Sequence, residues 1–299
     1  MPLFITGTTT LAIGGMVLLY TIQFDMLYPS NWPIGSRKFV ARPSKYGIPY
    51  SEVTISTKDN VRLKAFVCKR PIDKEARKRP TILMFHVEHM TANTFGLNVN
   101  TKTKNKISKG HQLPIAERFY KDFKCNVVML SYRGYGRSEG TPSEKGLRID
   151  AQAALDYIKK NEVFKDTKLI IYGQSLGGAV AIDLVSKNEE QVDALIIENT
   201  FLIPHLVPQL RYLTFLCIQI WPSDKSIKKI KQTPILFLSG TKDEIIPQQH
   251  MKSLYELAQP RGGKEWKEFS NGMHNDTILQ PGYFQNIGWF IKRNVCLDE

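Results

Sequence analysis

Cysteine is scarce in this chain, and no two cysteines have the close spacing of a metal site or a disulfide framework. The 299 residues include four of them, at Cys68, Cys125, Cys217 and Cys296. Structural zinc sites and small disulfide-stabilised domains need clustered cysteines. We therefore expect neither, and each cysteine lies in an apolar or strand-like run that predicts a buried free thiol.

Lysine and arginine are absent before Arg37, and residues 3–24 carry no charge at all. A helix of that length spans a bilayer of about 30 Å. A cleaved signal peptide is the alternative, but it would have a basic leading region and a small-residue cleavage site, and this segment has neither. The sequence therefore predicts an uncleaved, single-pass membrane anchor over residues 1–28, followed by a proline-rich linker over residues 29–49.

The first basic residues after this segment predict its orientation. They are Arg37, Lys38, Arg42 and Lys45. Because basic flanks stay on the cytosolic side, the main domain is expected in the cytosol. A glycosylation triplet at residues 275–277 indicates the opposite side, although such triplets also arise by chance. The endoplasmic reticulum and the plasma membrane are both compatible with these signals.

Acidic residues are too few to balance the basic ones. The chain has 41 Lys and Arg against 28 Asp and Glu, a net charge of +13. The basic residues are scattered, and no recognition helix or RNA-type aromatic motif gathers them. We therefore expect a solvated basic face near an anionic membrane and no nucleic-acid partner. Nucleic-acid binding, the alternative, predicts retention on heparin or DNA that falls steeply with salt.

Apolar runs alternate with helical patterns from residue 50 onward, and no internal repeat is visible. Strand-like runs cover residues 52–56, 61–68, 81–85, 126–131, 168–172, 194–198, 234–239 and 266–269. Helical patterns cover residues 144–160, 247–258 and 283–295, and one more begins at Ala179. Such alternation is typical of a mostly parallel sheet with helices on both faces. The sequence thus predicts one α/β domain over residues 50–299, opened by a hairpin.

One strand–turn–helix segment has the pattern of a nucleophile position. The strand over 168–172 is followed by GQSLGG at 173–178 and by a predicted amphipathic helix. A serine on such a sharp turn presents its hydroxyl above the sheet edge, and the helix N-terminus behind it supplies N–H groups. Glycines at 173 and 177 avoid a Cβ where strand and helix approach closely. We therefore predict that Ser175 attacks a carbonyl carbon.

A serine hydroxyl needs a general base, and the base needs an acid to orient it. Asp243 and His274 each follow a strand-like run, so both are expected at the sheet edge that carries Ser175. Their order along the chain, Ser, Asp, His, is that of hydrolases with this kind of sheet. Two alternatives stay open: Asp243 as a turn or helix-capping residue with Glu244 as the acid, and His274 as a hydrogen-bonded loop histidine.

Four motifs together resemble the serine α/β-hydrolase superfamily. They are GQSLGG at 173–178, SYRGYG at 131–136, GTKDEIIP at 240–247 and HND at 274–276. Within it, the chain is similar to the membrane-anchored, bud-emergence (Bem-type) branch, itself similar to acyl-protein thioesterases. The resemblance implies an eight-stranded, mostly parallel sheet, a catalytic triad of Ser175, Asp243 and His274, and an oxyanion held by the backbone N–H of Leu176.

The segment after the third strand departs from this branch, which carries a glycine-rich His-Gly-Asn-Ala-Gly-Asn there. Here His86 is followed by a lysine-rich insertion at 87–109, and Val87 stands where the second oxyanion donor is expected. Loss of one such donor costs on the order of 3 kcal/mol of transition-state stabilisation. The insertion has no helical or strand period and is expected to be a loop. Translated non-coding sequence is the alternative origin of these residues.

Residues 200–232 are dense in Leu, Ile, Phe and Trp and follow the sixth predicted strand. In this architecture the position hosts a small cap, here with an apolar acyl pocket. Its basic residues would face lipid headgroups; they are Lys225, Lys228, Lys229 and Lys231. Ordinary core packing is the alternative for this segment.

These features predict a membrane-anchored serine hydrolase that cleaves a carboxylic ester or thioester of an acyl or lipid substrate through an acyl-enzyme. No metal and no organic cofactor is expected, because the side chains supply every role. The expected partners are the acyl ester or thioester substrate and membrane lipid. The alternative is a catalytically silent scaffold at a membrane. The altered oxyanion loop is the observation that suggests this alternative.

Overall fold

A computed structural model describes residues 27, 28, 30, 37, 40–85, 112–202 and 221–295. Residues 1–26 of the predicted anchor, the insertion at 87–109 and residues 203–220 of the predicted cap lie outside the described residues. Cys217 and Cys296 lie outside them too, whereas Cys68 and Cys125 are buried free thiols, as predicted. Within the described ranges, no helix has both the length and the apolar character that a membrane crossing requires.

Eight strands of the described chain form one sheet. They are β1 (Ser51–Ser56), β2 (Arg62–Cys68), β3 (Thr81–Phe85), β4 (Asn126–Ser131), β5 (Leu169–Gln174), β6 (Ala194–Glu198), β7 (Ile235–Gly240) and β8 (Lys264–Phe269). Their order across the sheet is β1-β2-β4-β3-β5-β6-β7-β8. The β1–β2 and β2–β4 pairs are antiparallel, and the remaining pairs are parallel. The predicted hairpin and mostly parallel eight-stranded sheet are confirmed.

The helices between and after these strands run along the two faces of the sheet. They are α1 (Asp73–Ala76), α2 (Gln112–Lys121), α3 (Glu144–Lys160), α4 (Leu176–Val185), α5 (Ser223–Ile227), α6 (Gln249–Leu257) and α7 (Tyr283–Asn294). The hydroxyl of Ser143 caps α3 by accepting from the Gly146 N–H at 3.1 Å, which satisfies one of the donors that a helix start leaves unpaired.

The core has two halves because alternate residues of each strand point to opposite faces. On β3, Leu83 and Phe85 face one half, whereas Ile82 and Met84 face the other. The first half packs against α3, α4 and α6, and the second against α2 and α7. Full burial of one such side chain is worth about 1.5–3 kcal/mol, so both faces contribute to stability. The prediction of helices on both faces is confirmed.

Helices α4 and α2 differ from the sequence-based expectation, and the short helices α1 and α5 were not predicted either. Helix α4 begins at Leu176 rather than at Ala179, and it is not amphipathic, because every residue from Leu176 to Val185 is buried. Such a helix is enclosed on all sides, which its apolar composition permits. Helix α2 was not predicted. It carries Pro114 near its start, where a proline is tolerated because the first N–H groups of a helix have no partner within it.

A buried arginine joins the opening hairpin to α3. Arg133, in the loop after β4, donates from Nε to Asp150 Oδ1 and from Nη1 to Asp59 Oδ2, each at 2.8 Å. Asp150 lies on α3 and its side chain is fully buried, whereas Asp59 lies in the turn between β1 and β2. This arrangement holds the loop after β4 against the sheet.

Candidate active site

The predicted site residues lie on three loops at one edge of the sheet. Ser175 follows β5, Asp243 follows β7 and His274 follows β8. The carboxyl ends of parallel strands meet at a common edge, and β5 to β8 are successive neighbours in the sheet. The topology therefore brings residues that are distant along the chain into one place.

Ser175 occupies a strained turn between β5 and α4. Its backbone has φ 55° and ψ −125°, a conformation that non-glycine residues seldom adopt. The turn is tight: a Cβ on Gly173 would lie 2.4 Å from the carbonyl oxygen of Gly177, so the need for glycine at 173 is confirmed. The Ser175 N–H donates to the Glu198 carbonyl at 3.0 Å. The strain is therefore held by backbone contacts with β6.

The side chains of Ser175, His274 and Asp243 form one hydrogen-bonded chain. Ser175 Oγ lies 3.0 Å from His274 Nε2, and His274 Nδ1 lies 2.8 Å from Asp243 Oδ2. With the proton on Nδ1, the imidazole donates to the carboxylate and accepts from the hydroxyl. These distances suit proton transfer from a hydroxyl to a base that a carboxylate orients.

The structure distinguishes the two candidate acids. Asp243 uses Oδ1 in its own turn, where it accepts from the N–H groups of Ile245 and Ile246 at 2.9 and 2.7 Å, and Oδ2 for His274. It therefore combines the predicted acid position with the alternative turn role. Glu244 accepts from the His274 backbone N–H at 3.0 Å, so it contacts the loop rather than the ring.

The environment favours the charged form of His274. Burial of this residue, which is 1% exposed, acts to lower its pKa. The charge and hydrogen bond of Asp243, together with the smaller effects of the charges on Glu244 and Glu198, outweigh burial and raise the pKa. An imidazole with a raised pKa is a better proton acceptor. The site is thus arranged to stabilise an imidazolium.

Of the two predicted oxyanion donors, Leu176 lies among the described residues and Val87 does not. Leu176 is the first residue of α4, and the first N–H groups of a helix have no carbonyl partner within that helix. Its N–H is therefore placed as an oxyanion donor requires, directly after Ser175. Val87 lies outside the described residues, and the second donor stays a prediction.

Comparison with known proteins identifies the family. A family of hydrolases described as serine aminopeptidase, S33, matches residues 114–225. Protein bem46 of Schizosaccharomyces pombe is 40% identical over 97% of this chain and 93% of its own length. The chain belongs to the Bem-type α/β-hydrolase family.

Two further proteins are similar to this Bem-type hydrolase. The Saccharomyces cerevisiae membrane protein YNL320W is 38% identical over 99% of this chain and 96% of its own length. The esterase Pf2001 of Pyrococcus furiosus has the same fold, with a TM-score of 0.63 and 18% identity over 86% of this chain and 97% of that chain. The α/β-hydrolase fold is thus supported by sequence and by structure.

Behind the three side chains lies a polar layer that the sequence analysis missed. Gln174 Nε2 and Asn199 Nδ2 each donate to the His274 carbonyl at 3.2 Å, and Asn199 Oδ1 accepts from the Gly240 N–H at 2.9 Å. These contacts fix the His274 loop to the ends of β5 and β7. The one local signal for this layer is that polar residues end two apolar strands, at Gln174 and Glu198.

Proposed function

We propose that this Bem-type hydrolase is a serine hydrolase that cleaves a carboxylic ester or thioester through an acyl-enzyme. The observation that carries the proposal is the 3.0 Å contact between Ser175 Oγ and His274 Nε2, with Asp243 2.8 Å from the other ring nitrogen. The strained Ser175 backbone supports it as well, because such strain is typical of nucleophile turns. The Pyrococcus furiosus protein of the same fold is an esterase, which agrees with this reaction class.

In this reaction Ser175 Oγ attacks the carbonyl carbon while His274 Nε2 takes the hydroxyl proton. The oxyanion of the tetrahedral intermediate accepts from the Leu176 N–H, and Asp243 stabilises the imidazolium. The imidazolium then gives its proton to the departing alcohol or thiol, and an acyl-Ser175 ester remains. A water molecule, deprotonated by His274, hydrolyses that ester and restores the enzyme.

Labelling by a fluorophosphonate probe tests the nucleophile. The purified full chain in detergent should form a covalent adduct, and Ser175→Ala should form none. Ser239→Ala is the matched control, because Ser239 is also buried and its Oγ has no hydrogen-bond partner in the described part of the chain. Equal labelling of Ser175→Ala and the parent would rule out the assignment. Absence of labelling in the parent would favour the catalytically silent scaffold.

We also propose that residues 1–28 anchor the protein in a membrane and that the substrate carries an acyl chain. Tyr28 is 3% exposed, and its hydroxyl accepts from Trp221 Nε1 at 3.0 Å. Tyr28 is four positions past the end of the charge-free segment, so the chain can place it no more than about 14 Å from that end. The lysines near the end of the predicted cap are exposed; they are Lys225, Lys228, Lys229 and Lys231. These lysines suit an anionic lipid surface. The Saccharomyces cerevisiae relative YNL320W is described as a membrane protein.

Carbonate extraction of cell membranes tests the anchor. The parent should stay in the membrane pellet, and the double variant Ile13→Arg, Val17→Arg should be released, since each arginine costs about 2.5–3.5 kcal/mol at the centre of a membrane helix. Ile72→Arg adds the same kind of charge at a residue that is 59% exposed, and it should remain in the pellet. Extraction of the parent itself would contradict the anchor.

Competition for the fluorophosphonate probe tests the substrate class. Acyl thioesters and carboxylic esters with chains of increasing length should slow labelling of the parent, and long chains should compete better if residues 200–232 form an acyl pocket. Competition that is independent of chain length would contradict an acyl pocket and leave a small ester as the substrate.

A further inference from the structure

A second carboxylate is buried beside the site and has no role in the steps described above. Glu198 ends β6, a strand whose five residues are all buried, and is itself 0% exposed. Its Oε2 accepts from the hydroxyls of Tyr172 and Tyr283, each at 2.5 Å. Its Oε1 is buried and has no hydrogen-bond partner among the described residues. One oxygen of this carboxylate, Oε2, is therefore strongly hydrogen-bonded, whereas the other, Oε1, is not.

Glu198 lies between the Ser175 turn and the His274 loop. Its backbone carbonyl accepts from the Ser175 N–H at 3.0 Å. Gln174, its register partner on β5, and Asn199, the next residue, both donate to the His274 carbonyl. The residue is thus bonded to the nucleophile turn directly and is flanked on two sides by side chains that hold His274.

Glu198 interacts electrostatically with His274 and Asp243. Burial raises the pKa of Glu198 to about 7; the hydroxyls of Tyr172 and Tyr283 and the charge on His274 act to lower it, and Asp243 raises it further. Burial also raises the pKa of both tyrosines well above 10, so they stay protonated donors at neutral pH. Among the described residues, these four groups are the titratable neighbours that act on Glu198.

The charge of Glu198 in turn affects the pKa of His274. Burial acts to lower the pKa of His274, and the charges of Asp243, Glu244 and Glu198 all raise it. An imidazolium in a buried site needs nearby negative charge, because few water dipoles can stabilise it. Asp243 supplies one such charge by direct contact. Glu198 is placed to supply another without touching the ring.

We propose that Glu198 is a positioning residue of the reaction, whose carboxylate, held by Tyr172 and Tyr283, stabilises the imidazolium that His274 forms when it takes the Ser175 proton. This inference rests on the proposed function. A purely structural role is a poor account of the residue, since a neutral acceptor such as glutamine would bond to a tyrosine equally well without the cost of burying a charge.

The pKa of His274 provides the test, measured by NMR on the ¹⁵N-histidine-labelled full chain in detergent micelles. Glu198→Gln removes the negative charge that favours the imidazolium, so the titration midpoint of His274 should fall by about one pH unit. This shift corresponds to about a tenfold lower proton affinity. The acid limb of the rate of fluorophosphonate labelling should move to lower pH by a similar amount. The rate above pH 8 should fall by about tenfold, and the difference from the parent should narrow toward acid pH. A midpoint and a profile equal to those of the parent would overturn the proposal and leave a structural role.

A second variant keeps the test independent of the folding of Glu198→Gln. Tyr283→Phe removes one donor from Oε2, makes the anion of Glu198 less stable, and should shift the His274 midpoint in the same direction by a smaller amount. Tyr132→Phe is its matched control, because Tyr132 is also buried and its hydroxyl has no hydrogen-bond partner within the described chain; it should leave the midpoint unchanged. Equal midpoints in Tyr283→Phe and Tyr132→Phe would also contradict the proposal.

The outcomes separate the two proposals. Failure of the parent to react with the probe would overturn the serine-hydrolase function and, with it, a role for Glu198 in that reaction. Reaction of the parent at Ser175, together with an unshifted His274 midpoint in Glu198→Gln, would overturn the role of Glu198 alone.

Discussion

Thr200 donates its hydroxyl to the backbone carbonyl of Ser175 at 2.7 Å, and its side chain occupies the space beside Gly178. A Cβ on Gly178 would lie 2.5 Å from Thr200 Cβ and 2.6 Å from its Oγ1, far inside van der Waals contact. Thr200, the second residue after β6, therefore holds the Ser175 turn from one side, and the first turn of α4 packs against it. Because Ser175 directly precedes α4, any movement of the first turn of α4 also moves the Ser175 hydroxyl.

Gly178→Ala should slow fluorophosphonate labelling by about 100-fold, because a displacement of about 1 Å at a nucleophile has an effect of that size. Thr200→Gly in the same chain removes the clashing atoms, so the double variant should react faster than the two single effects predict together. Labelling rates of the four proteins form the cycle, and thermal unfolding checks that each is folded. Additive effects would show that the clash is not the cause.

Asp243→Asn and Glu244→Gln should differ strongly although the residues are adjacent. An asparagine at position 243 cannot stabilise the imidazolium or hold the Nδ1–H tautomer, and the labelling rate should fall on the order of 10⁴-fold. A glutamine at position 244 still offers an oxygen to the His274 N–H, which Glu244 accepts at 3.0 Å, so the loss should stay below about tenfold. The reverse order of the two losses would make Glu244 the acid.

Arg133→Ala should destabilise the fold by about 3–5 kcal/mol, because it leaves the fully buried Asp150 carboxylate without its cation. Arg137→Ala is the matched control. Arg137 pairs with Glu52, but its side chain is 44% exposed, and an exposed pair is worth about 1 kcal/mol or less. Denaturant unfolding of the parent and both variants measures the difference. Equal losses would show that the burial of the Arg133 pair has no energetic consequence.

Glu198→Gln should gain stability relative to the parent as the pH rises. Because the pKa of Glu198 rises from its usual 4.5 to about 7 on folding, the native state binds the proton more tightly than the unfolded chain. This contribution is complete below pH 4.5 and is lost as the pH rises through 7, a change of about 3 kcal/mol at most. Glutamine does not titrate. Unfolding free energies at pH 5 and pH 8 should therefore shift in favour of the variant, and a constant difference would contradict the burial of a titrating carboxyl.

The strand and turn patterns were readable because they depend on residues that are close along the chain. The apolar run before Ser175, the glycines around it and the polar residues after β7 and β8 each form a local signal, and their order predicted which loops would share an edge. The same local rules failed at α4. A helix start is hard to place when the turn before it consists of small residues, and the enclosure of α4 depends on neighbours that the sequence does not show.

Local sequence patterns were enough to predict the kind of sheet, the succession of its strands and three residues at the edge where its parallel strands end. The contacts of these residues followed only from the packed fold: Asp243 rather than Glu244 lies against the His274 ring, and Glu198 accepts a hydrogen bond from Tyr283, 85 positions away. The physical reason is that periodicity and turn chemistry act over a few residues. The direction of one side chain in a loop, and the partner of one buried charge, depend on packing among distant segments.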